Sequence, residues 1–252
     1  MFKKMKQKVL KANLALREYG LAPFTWGNAS QIDPKREYII IKPSGVRYED
    51  MTWDQMCVVS MEDGSLVGGA FSPSTDTRTH MEIYRRFPSV NGIAHTHSVY
   101  ATAFAQAGLG IPCYGTTHAD YFYGEIPCAR ALRADEIQGD YELNTGRVIV
   151  ETFQSLEADP LAIPGALVSG HGAFAWGNSA GDAAANAAYL EETARLAYMT
   201  LQLAPPAGVS LGTGVSPSGV SPSGVSPVPR ELLDKHYNRK HGKDAYYGQK
   251  LV

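Results

Sequence analysis

The sequence predicts an α/β protein in which helices are layered on a sheet with antiparallel character. Three observations lead to this prediction. Some segments place apolar residues every three or four positions, others are short extended runs, and glycine-containing turns separate the two kinds. The chain has 252 residues, of which 44% are hydrophobic and 10% are aromatic. This is enough apolar material for one sizeable core, so we expect a single domain spanning residues 1–252.

The first part of the chain is expected to form one helix followed by short strands. Apolar residues recur at helical spacing between Phe2 and Tyr19, and Gly20 follows as a helix stop. The recurring residues are Met5, Val9, Ala12 and Leu16. Extended runs occupy residues 25–30, 38–42, 57–61 and 65–67. The turn Glu62-Asp63-Gly64 joins the last two runs, which predicts a hairpin.

Further along, helices and strands alternate. A helix is expected from Thr75 or Asp76 to Phe87, where Pro88 ends it, and Ser98 is expected to cap another that ends near Gly108. Strands are predicted at residues 147–150, 166–168 and 173–175. A long helix is predicted for residues 180–203, with Ala187, Leu190, Ala194 and Ala197 on its apolar face.

The composition changes abruptly between Ala204 and Pro229. Gly, Val, Ser and Pro dominate this segment, and the unit Gly-Val-Ser-Pro-Ser occurs at residues 214–218 and again at 219–223. Such a sequence cannot bury a core, and a five-residue period is far shorter than that of solenoid repeats. We interpret residues 205–229 as a flexible insertion, followed by a C-terminal tail helix over residues 230–241.

Charge and cysteine content exclude several classes of protein. The formal net charge is -2, which leaves no basic surplus for a nucleic-acid backbone, and no apolar run is long enough to cross a membrane. The lysine-rich start lacks the apolar region of a secretory signal. Cys57, Cys113 and Cys128 are odd in number and lack C-x-x-C spacing, which favours reduced thiols. We therefore expect a cytoplasmic protein without nucleic-acid or membrane partners.

Three histidines and an aspartate form the strongest functional signal. His95 and His97 lie at the expected end of a strand, where residues i and i+2 point to the same face. His171, in a glycine-flanked segment, would add a third imidazole and leave one coordination position open, as in catalytic rather than structural zinc sites. Asp76 would complete the set. Alternatively, an H-x-H pair can arise by chance, and a buried histidine is often only a hydrogen-bonded core residue.

Several short motifs in a fixed order extend this signal. They are Thr25-Trp26-Gly27-Asn28, Lys42-Pro43-Ser44-Gly45-Val46, Pro73-Ser74-Thr75-Asp76, His95-Thr96-His97-Ser98, the run from Gly115 to Gly124, and Ala173-Phe174-Ala175-Trp176-Gly177. On these motifs the chain resembles the L-ribulose-5-phosphate 4-epimerase family of the class II aldolase superfamily, over nearly its whole length apart from the insertion. The resemblance implies a three-layer α/β/α fold around a central, largely antiparallel β-sheet. It also implies a homotetramer with active sites at subunit interfaces.

The resemblance implies an isomerase that interconverts L-ribulose 5-phosphate and D-xylulose 5-phosphate. Because the C4 hydrogen is not acidic, the implied route cleaves the C3–C4 bond and re-forms it after the aldehyde fragment has turned over. A divalent metal would stabilise the negative charge that develops. The implied ligands are Asp76, His95, His97 and His171, although Asp76 could instead orient a ligand. Zn²⁺ is the expected ion, with Mn²⁺, Co²⁺ and Ni²⁺ as alternatives.

The resemblance also assigns the proton carriers and the substrate contacts. Asp120 and Tyr247 would exchange protons on opposite faces of the aldehyde, whereas the alternatives are an aspartate that caps a turn and an exposed tail tyrosine. Binding of the sugar phosphate would fall to residues that offer amides, hydroxyls or positive charge. These are Gly27, Asn28, Lys42, Ser44, Gly45, Ser74, Thr75, Thr116, His236 and Arg239. Taken singly, each could be an ordinary turn or surface residue.

Three other functions are compatible with parts of this pattern. One is a class II aldolase that cleaves a deoxyketose 1-phosphate, although such aldolases carry a glutamate in the loop that here reads Ser74-Thr75-Asp76. The others are a metal-dependent hydrolase and a non-catalytic protein whose assembly needs metal. The motifs do not distinguish arabinose catabolism from ascorbate or related pentose pathways.

Overall fold

The protein folds around one eight-stranded sheet with the strand order β4-β3-β2-β1-β5-β8-β7-β6. The structure is a computed structural model and describes residues 2–204, 225–243 and 245–246. All neighbouring strands are antiparallel except β6 and β7, which are parallel. The strands are β1 (Asn28–Ile32), β2 (Tyr38–Ile41), β3 (Cys57–Ser60), β4 (Leu66–Gly68), β5 (Gly92–Thr96), β6 (Cys128–Ala129), β7 (Gly165–Val168) and β8 (Gly172–Gly177). The expected α/β class with a largely antiparallel central sheet is confirmed.

Helices cover both faces of this sheet and produce three layers. The α-helices are α1 (Lys3–Glu18), α2 (Thr77–Arg86), α3 (Val99–Gln106), α4 (Thr116–Ala119), α5 (Ala134–Gln138), α6 (Tyr141–Ser155), α7 (Ala180–Leu203) and α8 (Arg230–His241). On β2, Ile39 and Ile41 pack in the core under α2 and α6, whereas Ile40 packs in the core under α1 and α7. This alternation is expected of a strand buried on both faces, because successive side chains point in opposite directions.

One local prediction was wrong, and a second was right about the position of a cap but not about its hydrogen bond. Residues 147–150 are not a strand but the middle of α6, because the β-branched run at Val148 and Ile149 lies on the buried face of a 15-residue amphipathic helix. That packing outweighs β propensity. Ser98 occupies the N-cap position of α3, but its side chain makes no capping bond. The Glu191 carboxylate of α7 accepts hydrogen bonds from the backbone N–H groups of Tyr100 and Ala101 instead, each at 2.9 Å.

The remaining predictions concern the insertion, the domain boundary, the cysteines and membrane spans. Residues 205–224 of the insertion lie outside the described residues, and the single-domain boundary of 1–252 stays a prediction. Cys57, Cys113 and Cys128 are free thiols. Within the described ranges, no helix combines the length and the apolar character that spanning a membrane requires.

Candidate metal centre

Three imidazoles converge at the end of β5. His95 is in the strand, His97 follows it, and His171 lies in the turn between β7 and β8. Because β5 pairs directly with β8, that turn lies beside the two strand-end histidines. One ring nitrogen from each histidine lies within 4.8 Å of the others. We call these three residues the histidine group.

Two glycines permit this convergence. A Cβ atom at Gly172 would lie 2.8 Å from the Thr96 carbonyl oxygen and 3.4 Å from ring atoms of both His95 and His97. Gly27 has φ +75°, and a Cβ atom there would lie 2.8 Å from the His95 carbonyl oxygen. Any larger residue at either position would push a neighbouring segment away from the histidine group.

The chemistry of the three rings fits a divalent cation. His95 Nδ1 donates to the Ala173 carbonyl oxygen at 2.9 Å, which turns its Nε2 toward His97, whose Nε2 lies 3.0 Å away. Burial is the main cause that lowers the pKa of His97 to about 4 and of His171 to about 3, and the electrostatic interaction with His95 adds to both shifts. Neutral imidazoles are the form that binds metal. Three nitrogen donors suit Zn²⁺ and related ions.

Asp76 lies next to the histidine group as an ionised carboxylate. Its Oδ2 accepts hydrogen bonds from Asn28 Nδ2 at 2.6 Å and from Ser74 Oγ at 3.4 Å. Burial raises the pKa of Asp76, but the electrostatic interaction with nearby histidines, His95 first, and the Asn28 bond lower it by a larger amount, so the net shift is downward. Asp76 does not belong to the set of atoms within 4.8 Å of one another, and its ligation of metal stays a prediction.

A cavity of about 520 Å³ opens over the histidine group. The residues expected from sequence that line it are Gly27, Asn28, Lys42, Ser44, Gly45, Ser74, Thr75, Asp76, His95, His97 and His171. Tyr141 and Glu142 also line it, and sequence reasoning missed them. They begin α6, and Asp140 is the N-cap residue of that helix. Its side chain accepts a hydrogen bond from the backbone N–H of Leu143. That N-cap signal could have revealed the helix and its position.

Lys42 is a buried cation in the wall of this cavity. It is only 2% exposed, and its Nζ donates to the carbonyl oxygens of Thr25 at 3.3 Å and Pro43 at 3.4 Å. No carboxylate in the described ranges forms an ion pair with it. Burial lowers the pKa of Lys42 to about 8. An ammonium without a counter-ion, facing a cavity, can bind an anionic ligand.

Asp120 lies in a second cluster, formed with the tail helix α8. Arg239 donates to both carboxylate oxygens, at 3.0 Å and 2.6 Å, and His236 Nδ1 lies 3.1 Å from Oδ1. Lys240 Nζ lies 3.6 Å from Oδ2. Burial raises the pKa of Asp120, but the hydrogen bonds from Arg239 and His236 outweigh it and hold the pKa below its usual range. We call these four residues the Asp120 cluster.

The Asp120 cluster and the histidine group are separate within one chain. None of Thr116, Asp120, His236 and Arg239 lines the cavity over the histidine group. Helix α8 packs on its own chain, since Leu233 is buried with Cys113 and Ala119. Tyr247 lies outside the described residues.

Comparison with known proteins gives consistent matches over nearly the whole chain. The family model described as Class II Aldolase and Adducin N-terminal domain matches residues 7–198. The chain is 52% identical over 247 residues to proteins named L-ribulose-5-phosphate 4-epimerase UlaF from Salmonella paratyphi A and Salmonella typhi, covering 98% of this chain and 99% of each relative. A solved L-fuculose 1-phosphate aldolase has a TM-score of 0.72 at 19% identity, covering 94% of this chain and 95% of that chain. This last match shows a shared fold.

Proposed function

The chain belongs to the class II aldolase and adducin N-terminal domain family, and from that premise we propose that it interconverts L-ribulose 5-phosphate and D-xylulose 5-phosphate. The 52% identity to relatives named L-ribulose-5-phosphate 4-epimerase supports this choice of substrate. The observation that carries the proposal is the histidine group, which lies in the same cavity as the buried ammonium of Lys42.

We propose that His95, His97 and His171 hold one divalent metal ion, with Asp76 as a fourth ligand or as a group that orients one. Three imidazole nitrogens and one carboxylate favour Zn²⁺, and Mn²⁺, Co²⁺ and Ni²⁺ are compatible with the same donors. When bound, such an ion supplies Lewis-acid stabilisation of negative charge on the substrate oxygens.

The phosphate group is proposed to bind at the end of the cavity that contains Lys42. The ammonium supplies positive charge, while Asn28, Ser44, Ser74 and Thr75 supply short side-chain donors. Gly45, at φ +69°, turns the backbone beside Ser44 and adds an amide donor. Binding a dianion here fixes the sugar so that its carbon chain extends toward the histidine group.

The proposed reaction inverts C4 by breaking and re-forming the C3–C4 bond. The C4 hydroxyl gives its proton to a base, the bond's electron pair moves into the fragment that carries the C2 carbonyl, and C4 becomes an aldehyde. When that aldehyde presents its other face, the bond re-forms and an acid returns the proton to oxygen. Asp120, an ionised acceptor, and Tyr247 are the proposed carriers.

We propose that a second copy of the chain brings the Asp120 cluster to the histidine group, in a homotetramer. The separation of the two groups within one chain supports this arrangement. Trp26, which lines the cavity and is 52% exposed, and Phe24, which contacts the Trp26 ring and is 71% exposed, provide apolar surface for such a contact. Free thiols at Cys57, Cys113 and Cys128 support a reducing compartment, and we propose the cytoplasm.

Incubation of the purified protein, supplied with a divalent metal, with L-ribulose 5-phosphate tests the proposal directly. We expect D-xylulose 5-phosphate to form without net release of fragments. Accumulation of free glycolaldehyde phosphate would indicate an aldolase instead, and release of inorganic phosphate would indicate a hydrolase. Either result, without the epimer, would overturn the proposed function.

We expect the KM for the sugar phosphate to rise above pH 8 because Lys42 loses its proton there. The Lys42 ammonium has a pKa of about 8 in the free protein, so it is charged below that pH and neutral above it. A phosphate dianion prefers the charged form, and its apparent affinity should fall by up to about tenfold per pH unit above that point. Steady-state kinetics between pH 7 and 10 measure this effect.

The control for this pH dependence is Lys42→Met, which keeps an unbranched side chain and removes the charge. Its KM should be high at every pH and should not rise further above pH 8. If the variant and the parent protein show the same rise, Lys42 is not the titrating group.

A further inference from the structure

Strand β1 and helix α2 are joined by hydrogen bonds at two successive levels. At the first level Asn28 Nδ2 donates to Asp76 Oδ2 at 2.6 Å. At the second level the Ser30 hydroxyl is hydrogen-bonded to His80 Nδ1 at 2.7 Å and to Tyr84 Oη at 2.8 Å. We call these contacts the β1–α2 ladder.

The spacing of the ladder follows from the geometry of the two elements. Asn28 and Ser30 are two residues apart on a strand, so they share a face and advance by about 6.6 Å. Asp76 and His80 are four residues apart along a helix, so they share a stripe and advance by about 6 Å. The rise along the strand matches the rise along the helix, so Asn28 and Ser30 can each reach a partner one helical turn apart.

His80 forms the inner level of the ladder and lies behind the histidine group. Its side chain is fully buried, and its Nε2 has no hydrogen-bond partner in the part of the chain that the structure describes. The His80 ring contacts Phe174 edge-on at 6.2 Å between centroids, and Phe174 in turn stacks on His95 at 4.1 Å. Burial lowers the pKa of His80 to about 3, so the ring is neutral.

The outer level of the ladder, at Asp76, is held by hydrogen bonds from Asn28 and Ser74 rather than by a helix cap. Asp76 stands at the N-cap position of α2, yet its side chain makes no capping bond, because it is turned toward Asn28. The first turn of α2 also contains no acidic residue. Helix ends that lack caps fray readily. Asp76 precedes the first residue of α2, so within the described residues the first side-chain hydrogen bond from the helix itself to β1 is that of His80 with Ser30, one turn further in.

We propose that His80 is a positioning residue for the metal centre, which fixes α2 on β1 and thereby holds the Asp76 carboxylate beside the histidine group. This inference rests on the proposed function, in which Asp76 serves the metal. If His80 had a purely structural role, its loss would lower the stability of the fold and leave metal affinity unchanged.

The test measures Co²⁺ affinity and the thermal unfolding midpoint of the full chain after metal removal. His80→Phe keeps a ring but cannot bond Ser30, and it should weaken Co²⁺ binding by about tenfold or more. His80→Asn, which keeps a polar atom near the Nδ1 position, should recover most of that loss. Tyr84→Phe removes the far end of the same hydrogen-bond chain and serves as the matched control. It should lower the unfolding midpoint and change Co²⁺ affinity by less than about twofold.

A double-mutant cycle tests whether His80 acts through Asp76. In an Asp76→Asn background, His80→Phe should cause no further loss of Co²⁺ affinity. The proposal is overturned if the two losses add in full, if His80→Phe lowers only thermal stability, or if Asp76→Asn leaves affinity unchanged. Co²⁺ binding is measured without substrate, so it can be read even if the epimerase assay fails. Failure of the proposed reaction is thereby distinguished from failure of the proposed role of His80.

Discussion

Replacing His97 with alanine is expected to abolish tight binding of a divalent metal and to lower turnover by roughly two orders of magnitude or more. The substitution removes one of the three imidazoles that, among the described residues, meet within 4.8 Å. His97 is partly exposed, so its loss opens little of the core. Metal content after dialysis, turnover and the circular dichroism spectrum measure the three expected consequences. The spectrum should remain that of the folded protein.

Chelation of the unaltered protein should reproduce the loss of turnover, and added Zn²⁺, Mn²⁺ or Co²⁺ should restore it. The fold should survive, because the histidine group lies at the edge of a large core on both faces of the sheet. His118→Gln is the matched control for the His97→Ala variant. His118 is buried but donates to the Gly124 carbonyl oxygen outside the group, so its loss should lower stability and leave metal content unchanged. Unfolding on chelation would instead favour a protein that metal merely stabilises.

The fold was predictable wherever a long segment keeps one hydrophobic period. Helix α7 begins and ends at the predicted residues Ala180 and Leu203, because its small apolar residues mark a continuous buried stripe. Helix α6 was missed, because Val148, Ile149 and Val150 have strong β propensity and their helical burial depends on packing with distant elements. A local run of β-branched residues cannot distinguish these two outcomes.

The histidine group was predictable because strand geometry alone places His95 and His97 on one side and a glycine-flanked hairpin can approach them. Two electrostatic features were not predictable from the sequence. Lys42 is buried with no ion-pair partner among the carboxylates that the structure describes, and Asp120 is bound by Arg239, a residue 119 positions away. Neither feature leaves a periodic signal, since each depends on which distant segments meet in the folded chain.

Replacing Asp120 with asparagine is expected to lower turnover by about a hundredfold or more while metal content stays unchanged. Asparagine keeps the shape but cannot take a proton from the substrate, and it removes the charge that faces Arg239 and Lys240. Metal content should not change, because Asp120 does not line the cavity over the histidine group. Loss of metal in the variant would contradict the role assigned to Asp120.

Because Asp120 also anchors α8, the control must weaken that helix without touching the carboxylate. Asp234→Asn does so, since Asp234 of α8 accepts hydrogen bonds from Tyr123, which lies outside α8, and from Arg230 within it. We expect it to lower the unfolding midpoint and to leave most of the turnover. If Asp234→Asn and Asp120→Asn reduce turnover equally, docking of α8 rather than proton transfer explains the loss.

Mixing the two inactive variants tests whether the two groups belong to different subunits of one site. In the proposed arrangement, one chain supplies the histidine group of a site and its neighbour supplies the Asp120 cluster. Such a site is intact when the Asp120→Asn chain supplies the histidine group and the His97→Ala chain supplies the Asp120 cluster. Random reassembly of equal amounts into the proposed homotetramer, with each chain's histidine group facing one neighbour, produces this order at roughly a quarter of the interfaces. Co-refolded mixtures should therefore regain about a quarter of the parent turnover. If both groups act within one chain, no mixture can regain activity, because every site then carries one of the two substitutions.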